Sequence, residues 1–533
     1  MSARGNGVGV TDVPPLATAA PPRRTLPRPG RRPGARTTAL LALSGLVVVA
    51  VVLRTRALDQ AFWIDEGLTV GISSHGFLDI PGVLRQDGSP PFYYLLLHVW
   101  MALVGTSEVA THALSVLFGV LCVPAGMWAA WSLFGRSAGL MTGVLCALNP
   151  FITAYSQETR MYALMILLGV LAAAAYLHVF VFRRRGYLVL LVVAWALMLY
   201  THNWTLFFLA GSLVALGPCL RRSADRPALV RDAVIAFGGA GLLFLPWLPT
   251  LVFQTLHTGA PWGNEPSLTA LLLRAPAALA AGPPAAVALA LGGGAGVAAV
   301  VTRARGAERT AVLALVLVPV VGLVLAWVTS QISPAWAHRY LAVLLGPLLV
   351  FFGVTLSRAG RLGLAALGIL SAFWIVQQPF DDKSNARTVM RQVDARLAPG
   401  DVVISTHPEQ TPVLLYYLPA GLRYATTLGP VADPRVMDWR DALARLELAR
   451  PETELDPVLD SVRPGGRVLL VRPLIGEGIE WSAPWTQLVR RRSAEWGGAL
   501  ARDRRFRRVA AFPRRFPDEL PRGVRAVLYE KTR

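Results

Sequence analysis

Long apolar runs broken by short polar turns fill the chain as far as residue 380, and beyond that point the pattern changes. A helix that crosses a bilayer needs about 20 apolar residues. Runs of this kind lie at 37–57, 109–133, 138–155, 162–182, 187–201, 204–220, 231–250, 284–302, 310–329, 340–357 and 362–378, which predicts eleven membrane helices. The first run could be a signal-peptide core. It is read as a retained span, because Arg54 and Arg56 follow it and no small-residue cleavage site does. Residues 1–36, rich in Pro, Gly and Arg and without hydrophobic periodicity, read as a disordered basic tail.

After residue 380 charges become frequent and the apolar runs shorten. Asn385 to Leu397 has the spacing of an amphipathic helix, and Asp438 to Leu448 also reads as helical. Pro399-Gly400-Asp401 leads into a strand at Val402 to Thr406, Pro464-Gly465-Gly466 into another at Arg467 to Val471, and Val524 to Tyr529 forms a last one. Alternating helices and strands predict a soluble α/β domain over 380–533, with Asp381 and Asp382 at its boundary. The expected fold is thus a polytopic α-helical membrane protein with a C-terminal α/β domain.

Charge orients the spans. Arg136, Arg183-Arg184-Arg185, Arg221-Arg222, Arg303 with Arg305 and Arg309, and Arg358 with Arg361 fall in alternate turns, together with the basic N-terminus. The positive-inside rule makes that face cytoplasmic. An odd number of spans then puts the C-terminal domain on the extracytoplasmic side. The run from Pro90 to Val104 would break this alternation if it crossed, so it is read as a helix in the outer interface, which Tyr93, Tyr94 and Trp100 suit. The stretch 268–282, interrupted by Arg274 and closed by Gly282-Pro283-Pro284, stays outside the count for the same reason.

Composition agrees with this picture. Of the 533 residues 54% are hydrophobic and 16% charged, against about 25% charged in a soluble globule. The net charge of +20 marks cytoplasmic loops and contacts with anionic lipids; no nucleic-acid recognition motif accompanies it. Cys122, Cys146 and Cys219 lie in apolar runs without zinc spacing and read as inert thiols. Only Lys383 and Lys531 are lysines.

The polar residues left over gather on the predicted outer face. Asp65 and Glu66, in Trp63-Ile64-Asp65-Glu66-Gly67, directly follow the first span, where two carboxylates are costly without partners. A carboxylate there can accept a proton from an attacking hydroxyl or ligate a divalent cation; the plain alternative is pairing with Arg54 or Arg56. In Tyr155-Ser156-Gln157-Glu158-Thr159-Arg160, Arg160 can hold a phosphate while Glu158 orients it or joins Asp65 around Mg2+ or Mn2+; a local ion pair is the alternative. Asp87 opens the Pro90-Pro91 helix as a ligand or as its N-terminal cap. His202, Asn203, His338, Arg339 and Tyr340 sit at outer ends of spans, suited to a lipid phosphate, to stacking on a sugar ring or to the aromatic belt. His407 and Glu409 read as solvated loop residues, and the five arginines of Arg502 to Arg508 as a solvated helix face or a contact for headgroups or glycan.

The ordered set resembles a known family. An acidic pair after the first span, Asp87-x-x-Pro90-Pro91-x-Tyr93-Tyr94, Tyr155-Ser156-Gln157-Glu158-x-Arg160-x-Tyr162 and His338-Arg339-Tyr340 resemble the bacterial relatives of protein O-mannosyltransferases and aminoarabinose transferases, family 39-like enzymes with the GT-C fold. The resemblance covers residues 37–380. It implies an inverting glycosyltransferase that uses a polyprenyl-phosphate sugar, mannose favoured, outside the cytoplasmic membrane, with a glycan, lipid or protein as acceptor. It further implies Asp65 as general base with Glu66 beside it, Glu158 and Arg160 as the second-loop motif, and Arg339 near the lipid phosphate. Many relatives have His where this chain has Ser89. Two other classes compete: a transporter or flippase of a lipid-linked sugar, which would keep ionisable groups near the bilayer midplane in repeated halves, and a non-catalytic envelope assembly protein, for which Asp65→Asn would be silent.

Overall fold

The computed structural model describes residues 2, 33–304, 306–380, 382–475, 482–513 and 523–532. Most of the predicted tail, with Arg305 and Asp381, lies outside the described residues. Helix α1 begins at Pro33 and ends at Arg54. All eleven apolar runs are helical, and the chain is a multi-pass membrane protein. Among the described residues eight helices are long and apolar enough to cross a membrane, or nine if one bent pair counts as a single span. Two predicted spans, now Arg185–Leu199 and Arg361–Val376, are apolar but shorter, so length alone supports fewer crossings than eleven.

The bent pair is the run 138–155. It divides into α6 (Arg136–Leu148) and α7 (Pro150–Ser156), which meet at 51°. Pro150 has no N–H to continue the first helix, and Asn149 caps the second by accepting from Phe151 N (2.8 Å). The helices nearest the centre are Tyr162–Val181 and His338–Arg358, 83% and 78% buried, against 33% for Pro283–Arg303. They cross backbone to backbone: a Cβ on Gly346 would lie 2.4 Å from the carbonyl carbon of Gly169. Arg160 precedes one of these helices and Arg339 opens the other, so the crossing sets their separation.

The arginine-bearing turns meet at the opposite end of the bundle. Arg358 Nε pairs with Glu308 (2.6 Å) and its Nη2 donates to Phe134 O (3.2 Å). Arg222 Nη1 donates to Thr310 Oγ1 (2.7 Å), and Arg183 and Arg185 both pair with the buried Asp232. Turns that the sequence groups by charge are thus spatial neighbours.

Between the first span and α5 (Glu108–Phe134) come three short helices: α2 (Ile64–Ser73), α3 (Ile80–Asp87) and α4 (Phe92–Val104). With 13 residues α4 is too short to cross, as expected of the 90–104 run. Asp87 is the last residue of α3, and Pro91 precedes α4, so Asp87 does not cap the helix it was expected to open.

The C-terminal region forms a six-stranded mixed sheet in the order β3-β2-β1-β4-β6-β5. Its strands are β1 (Val402–Ser405), β2 (Arg423–Thr426), β3 (Gly429–Pro430), β4 (Arg467–Pro473), β5 (Phe506–Phe512) and β6 (Val524–Lys531). Strands β2, β1 and β4 run parallel, while β6 pairs antiparallel with β4 and β5. The predicted helix 385–397 is reduced to Ala386–Arg391 and a 3-10 turn at Asp394–Arg396, and the one at 438–448 starts at Ala442. The arginines of 502–508 do not form a helix face: Arg502 ends one helix, Asp503 follows, and Arg507 and Arg508 lie on β5. Residues 43–533 form one compact unit, with the sheet packed onto the membrane helices.

Candidate active site

Helix α2 is wedged between the membrane helices and the sheet domain, and its two glycines make this close fit. A Cβ on Gly67 would lie 2.6 Å from Val413 Cβ, and one on Gly71 would lie 2.1 Å from Arg435 O. A helical glycine costs about 1 kcal/mol relative to Ala; here two of them, one turn apart, let the sheet domain approach the backbone of the helix. His75 Nε2, just beyond the helix, contacts Asp433 Oδ2 at 2.7 Å. The helix that carries the acidic pair is therefore held from both sides.

Adjacent positions on a helix are about 100° apart, and the two carboxylates go different ways. Glu66 points into the protein interior and is fully buried. Its Oε1 contacts His112 Nε2 (2.7 Å), Lys383 Nζ (2.7 Å) and Thr159 N (2.8 Å). Its Oε2 accepts from Trp63 N (3.3 Å) and so caps α2. Lys383 Nζ also donates to Gln157 O (2.8 Å), and His112 Nδ1 contacts Leu58 O (2.7 Å). Burial alone would raise the Glu66 pKa, but Lys383 and then His112 outweigh it and hold the group down at about 2. One carboxylate thus joins α2, α5, the 157–160 turn and the entry to the C-terminal domain. The pairing considered for Arg54 does not form: its guanidinium is buried and donates to Gly119 O (2.8 Å) and Cys146 O.

Asp65 faces a cavity of about 540 Å3 between the membrane helices and the sheet domain. Its Oδ2 lies 3.4 Å from Arg339 Nη2 and 3.9 Å from Arg160 Nη2. Arg160 Nη1 is fixed by Thr69 Oγ1 (2.8 Å) and Asp65 O (3.3 Å), and Thr69 Oγ1 donates to that same carbonyl (2.7 Å). The Arg339 guanidinium is ringed by Trp262 (5.0 Å), Tyr340 (5.5 Å) and Trp63 (5.6 Å). Two guanidiniums thus face one carboxylate, with Asp87 in the same cavity wall.

Of the residues singled out from the sequence, Asp65, Asp87, Arg160, His202, Asn203, Arg339 and Tyr340 all line this cavity. Asp87 has its pKa raised by burial, against hydrogen bonding to Ser89 and the charge of Arg160. His202 is held near 3 by burial and by Arg160 and Arg339, so its imidazole is neutral; its Nδ1 accepts from Trp204 N (3.1 Å). Asn203 Nδ2 donates to Gly88 O (3.3 Å), tying this turn to the Asp87 turn. The others lie elsewhere. Glu66 and Glu158 are buried outside the cavity wall, Tyr93 is buried against Ser115 Oγ (2.9 Å), and His338 is exposed. Asp65 and Glu158 therefore do not share a surface on which to hold Mg2+ or Mn2+; the carboxylates that share the cavity with Asp65 are Asp87 and Glu409. No group of three or more His, Cys, Asp or Glu side chains suited to a metal occurs among the described residues.

Sequence reasoning missed the far wall. His407, Glu409, Gln410 and Trp439 come from the sheet domain, and His407 is 8% exposed rather than solvated. It also missed Lys383, although one of only two lysines in a chain of arginines was a visible signal.

Neither a family model nor a curated protein matches the sequence. Solved structures do match. ArnT from Cupriavidus metallidurans, crystallised with undecaprenyl phosphate, aligns over 93% of this chain and 98% of its own, with a TM-score of 0.54 and 15% identity. The chain has the GT-C fold. Archaeal oligosaccharyltransferase AglB from Archaeoglobus fulgidus, in complex with an inhibitory peptide and a dolichol-phosphate, aligns over 82% of this chain and 69% of its own (TM-score 0.50, 12% identity). Arabinofuranosyltransferase AftD from Mycobacteria matches 94% of this chain and 40% of its own (TM-score 0.50, 13% identity).

Proposed function

We propose that this GT-C protein is an inverting glycosyltransferase that moves a sugar, mannose favoured, from a polyprenyl-phosphate donor to a cell-envelope acceptor outside the cytoplasmic membrane. The observation that carries the reading is Asp65, a carboxylate flanked by Arg160 and Arg339 in a cavity at the junction of membrane helices and sheet domain. Support comes from the undecaprenyl phosphate of ArnT and the dolichol-phosphate of AglB, both bound to proteins of the same fold. The gathering of arginine turns at the opposite end of the bundle favours an extracytoplasmic site and sheet domain.

The chemistry follows from the geometry. The donor phosphate enters beside Arg160 and Arg339, whose charge compensates it as it leaves the anomeric carbon. An acceptor hydroxyl attacks that carbon from the opposite side, and Asp65 takes its proton. The new C–O bond forms as the bond to phosphate breaks, so a single displacement inverts the anomer. His202, neutral and buried, and Asn203 shape the wall around the sugar. Glu66 is a positioning residue that fixes the turn bearing Asp65.

The test is transfer by the purified protein in nanodiscs, with polyprenyl-phosphate mannose, a membrane acceptor extract and Asp65→Asn alongside. Mannose transfer by the wild type that disappears in a folded variant supports the reading. Transfer that survives in the variant removes Asp65 as the base, and a wild type that stays silent across a panel of polyprenyl-phosphate sugars removes the enzyme class.

A further inference from the structure

The wall facing Asp65 is built by the sheet domain and plays no part in the donor chemistry. It consists of the turns that follow β1 and β4, two adjacent parallel strands. From β1 the chain moves to β2 on one side, and it later returns to add β4 on the other. The strand order therefore reverses between β1 and β4, and in open α/β sheets ligands lie outside the carboxyl ends of the strands at such a point. His407, Glu409 and Gln410 follow β1, and Leu474 and Ile475 follow β4; all five line the cavity.

The polar groups of this crevice await a partner. His407 is 8% exposed and Gln410 2%, yet His407 Nδ1 and Gln410 Oε1 are buried with no hydrogen-bond partner. Leaving a buried polar atom unpaired costs about 1–3 kcal/mol, which a ligand supplying the bond would recover. Glu409 Oε1 is held by His407 Nε2 and by Trp485 Nε1 (3.4 Å). Trp439 adds apolar surface to the same wall.

We propose that this crevice is the acceptor subsite and that its ligand is a neutral carbohydrate; the proposal rests on the glycosyltransferase reading. The walls differ in their cations: among the described residues, Arg160 and Arg339 line the membrane side, beside Asp65 and Asp87, and no Arg or Lys lines the sheet side. The sheet wall presents a carboxylate, which repels phosphate. A carboxylate, an amide and an imidazole beside an indole suit vicinal hydroxyls and the apolar face of a sugar ring. An acceptor seated there has its hydroxyl between the sheet wall and Asp65, where attack on the donor requires it.

The experiment is a tryptophan-fluorescence titration of the full chain in nanodiscs. One arm uses neutral oligosaccharides of mannose or arabinose, a second undecaprenyl phosphate, and a third a Ser/Thr-rich peptide. Wild type is expected to bind an oligosaccharide, and Glu409→Gln and Gln410→Leu to weaken that binding by about tenfold each while changing undecaprenyl phosphate affinity by less than about twofold. Glu409→Asp restores part of the affinity, and retained undecaprenyl phosphate binding shows that the variants are folded. Arg339→Ala shows the reverse pattern. Variants that bind oligosaccharide like the wild type overturn the proposal, as does peptide binding that replaces oligosaccharide binding. Undecaprenyl phosphate binding with no oligosaccharide binding strikes this proposal alone; failure to bind undecaprenyl phosphate strikes the glycosyltransferase reading.

Discussion

Lys383→Met isolates the buried network behind Asp65. In the folded chain the Glu66 carboxyl is held at about 2 against an ordinary 4.5, although burial pushes it the other way. The surrounding donors therefore favour the charged form by more than burial disfavours it. Lys383 is the leading source, and His112 and Thr159 N remain in the variant. Removing one partner of a buried pair typically costs about 3–5 kcal/mol; with two donors left, a loss of about 2–3 kcal/mol is expected. Because the folded pKa is depressed, this contribution is complete above the unfolded value and is lost as pH falls from 4.5 through about 2, so the comparison belongs at pH 7. Thermal unfolding in nanodiscs, with sugar transfer measured on the same samples, compares Lys383→Met, Glu66→Gln and the double variant. The single lysine variant should melt earliest, and the double variant should recover part of the loss, because no uncompensated charge remains. Transfer should fall in all three as the Asp65 turn loosens. Wild-type melting and transfer in Lys383→Met would refute the positioning role, and so would strictly additive losses in the double variant.

Three further outcomes are expected. Arg339→Ala should weaken undecaprenyl phosphate binding by at least about tenfold, the loss of a charge-assisted contact worth about 1.5–3 kcal/mol, whereas Asp65→Asn should stop transfer and leave that binding intact; titration and turnover measured side by side separate the two. Gly71→Ala would bring a Cβ to 2.1 Å from Arg435 O, so the sheet domain should become sensitive to protease while the membrane helices stay protected. His202 has a folded pKa lowered to about 3, so an unfolded chain binds the proton first as pH drops from 6.5; stability should rise with pH between about 3 and 6.5, and His202→Phe should flatten that slope in melting curves.

The spans were legible because hydrophobic length is a local property, and the arginine turns because charge is counted loop by loop. The same locality explains the failures. Arg185–Leu199 and Arg361–Val376 fall short of a full span, and the runs 187–201 and 362–378 that predicted them were already below about 20 residues. Asp65 and Glu66 are neighbours in sequence and were read as one site, yet a single step around α2 sends one to the cavity and the other to a buried cluster. The partners that make this difference, His112 and Lys383, are 46 and 317 residues from Glu66.

The sheet-domain wall was out of reach for a related reason. Pro408-Glu409-Gln410 is a polar turn by any local criterion and is buried where the sheet domain rests on α2, which lacks side chains at Gly67 and Gly71. Gly67 and Gly71 were present in the sequence, but a glycine inside a helix announces close approach without naming what approaches. The two halves of the cavity therefore have different standing. The membrane wall follows from motifs that were visible in order along the chain, whereas the sheet wall exists only through tertiary docking. If docking creates the acceptor crevice, Gly71→Ala should weaken oligosaccharide binding more than undecaprenyl phosphate binding, since Arg339 keeps its place at the start of a helix whose crossing does not involve the sheet. Equal losses on both ligands would mean that α2, and not the sheet domain, sets the geometry of the whole cavity.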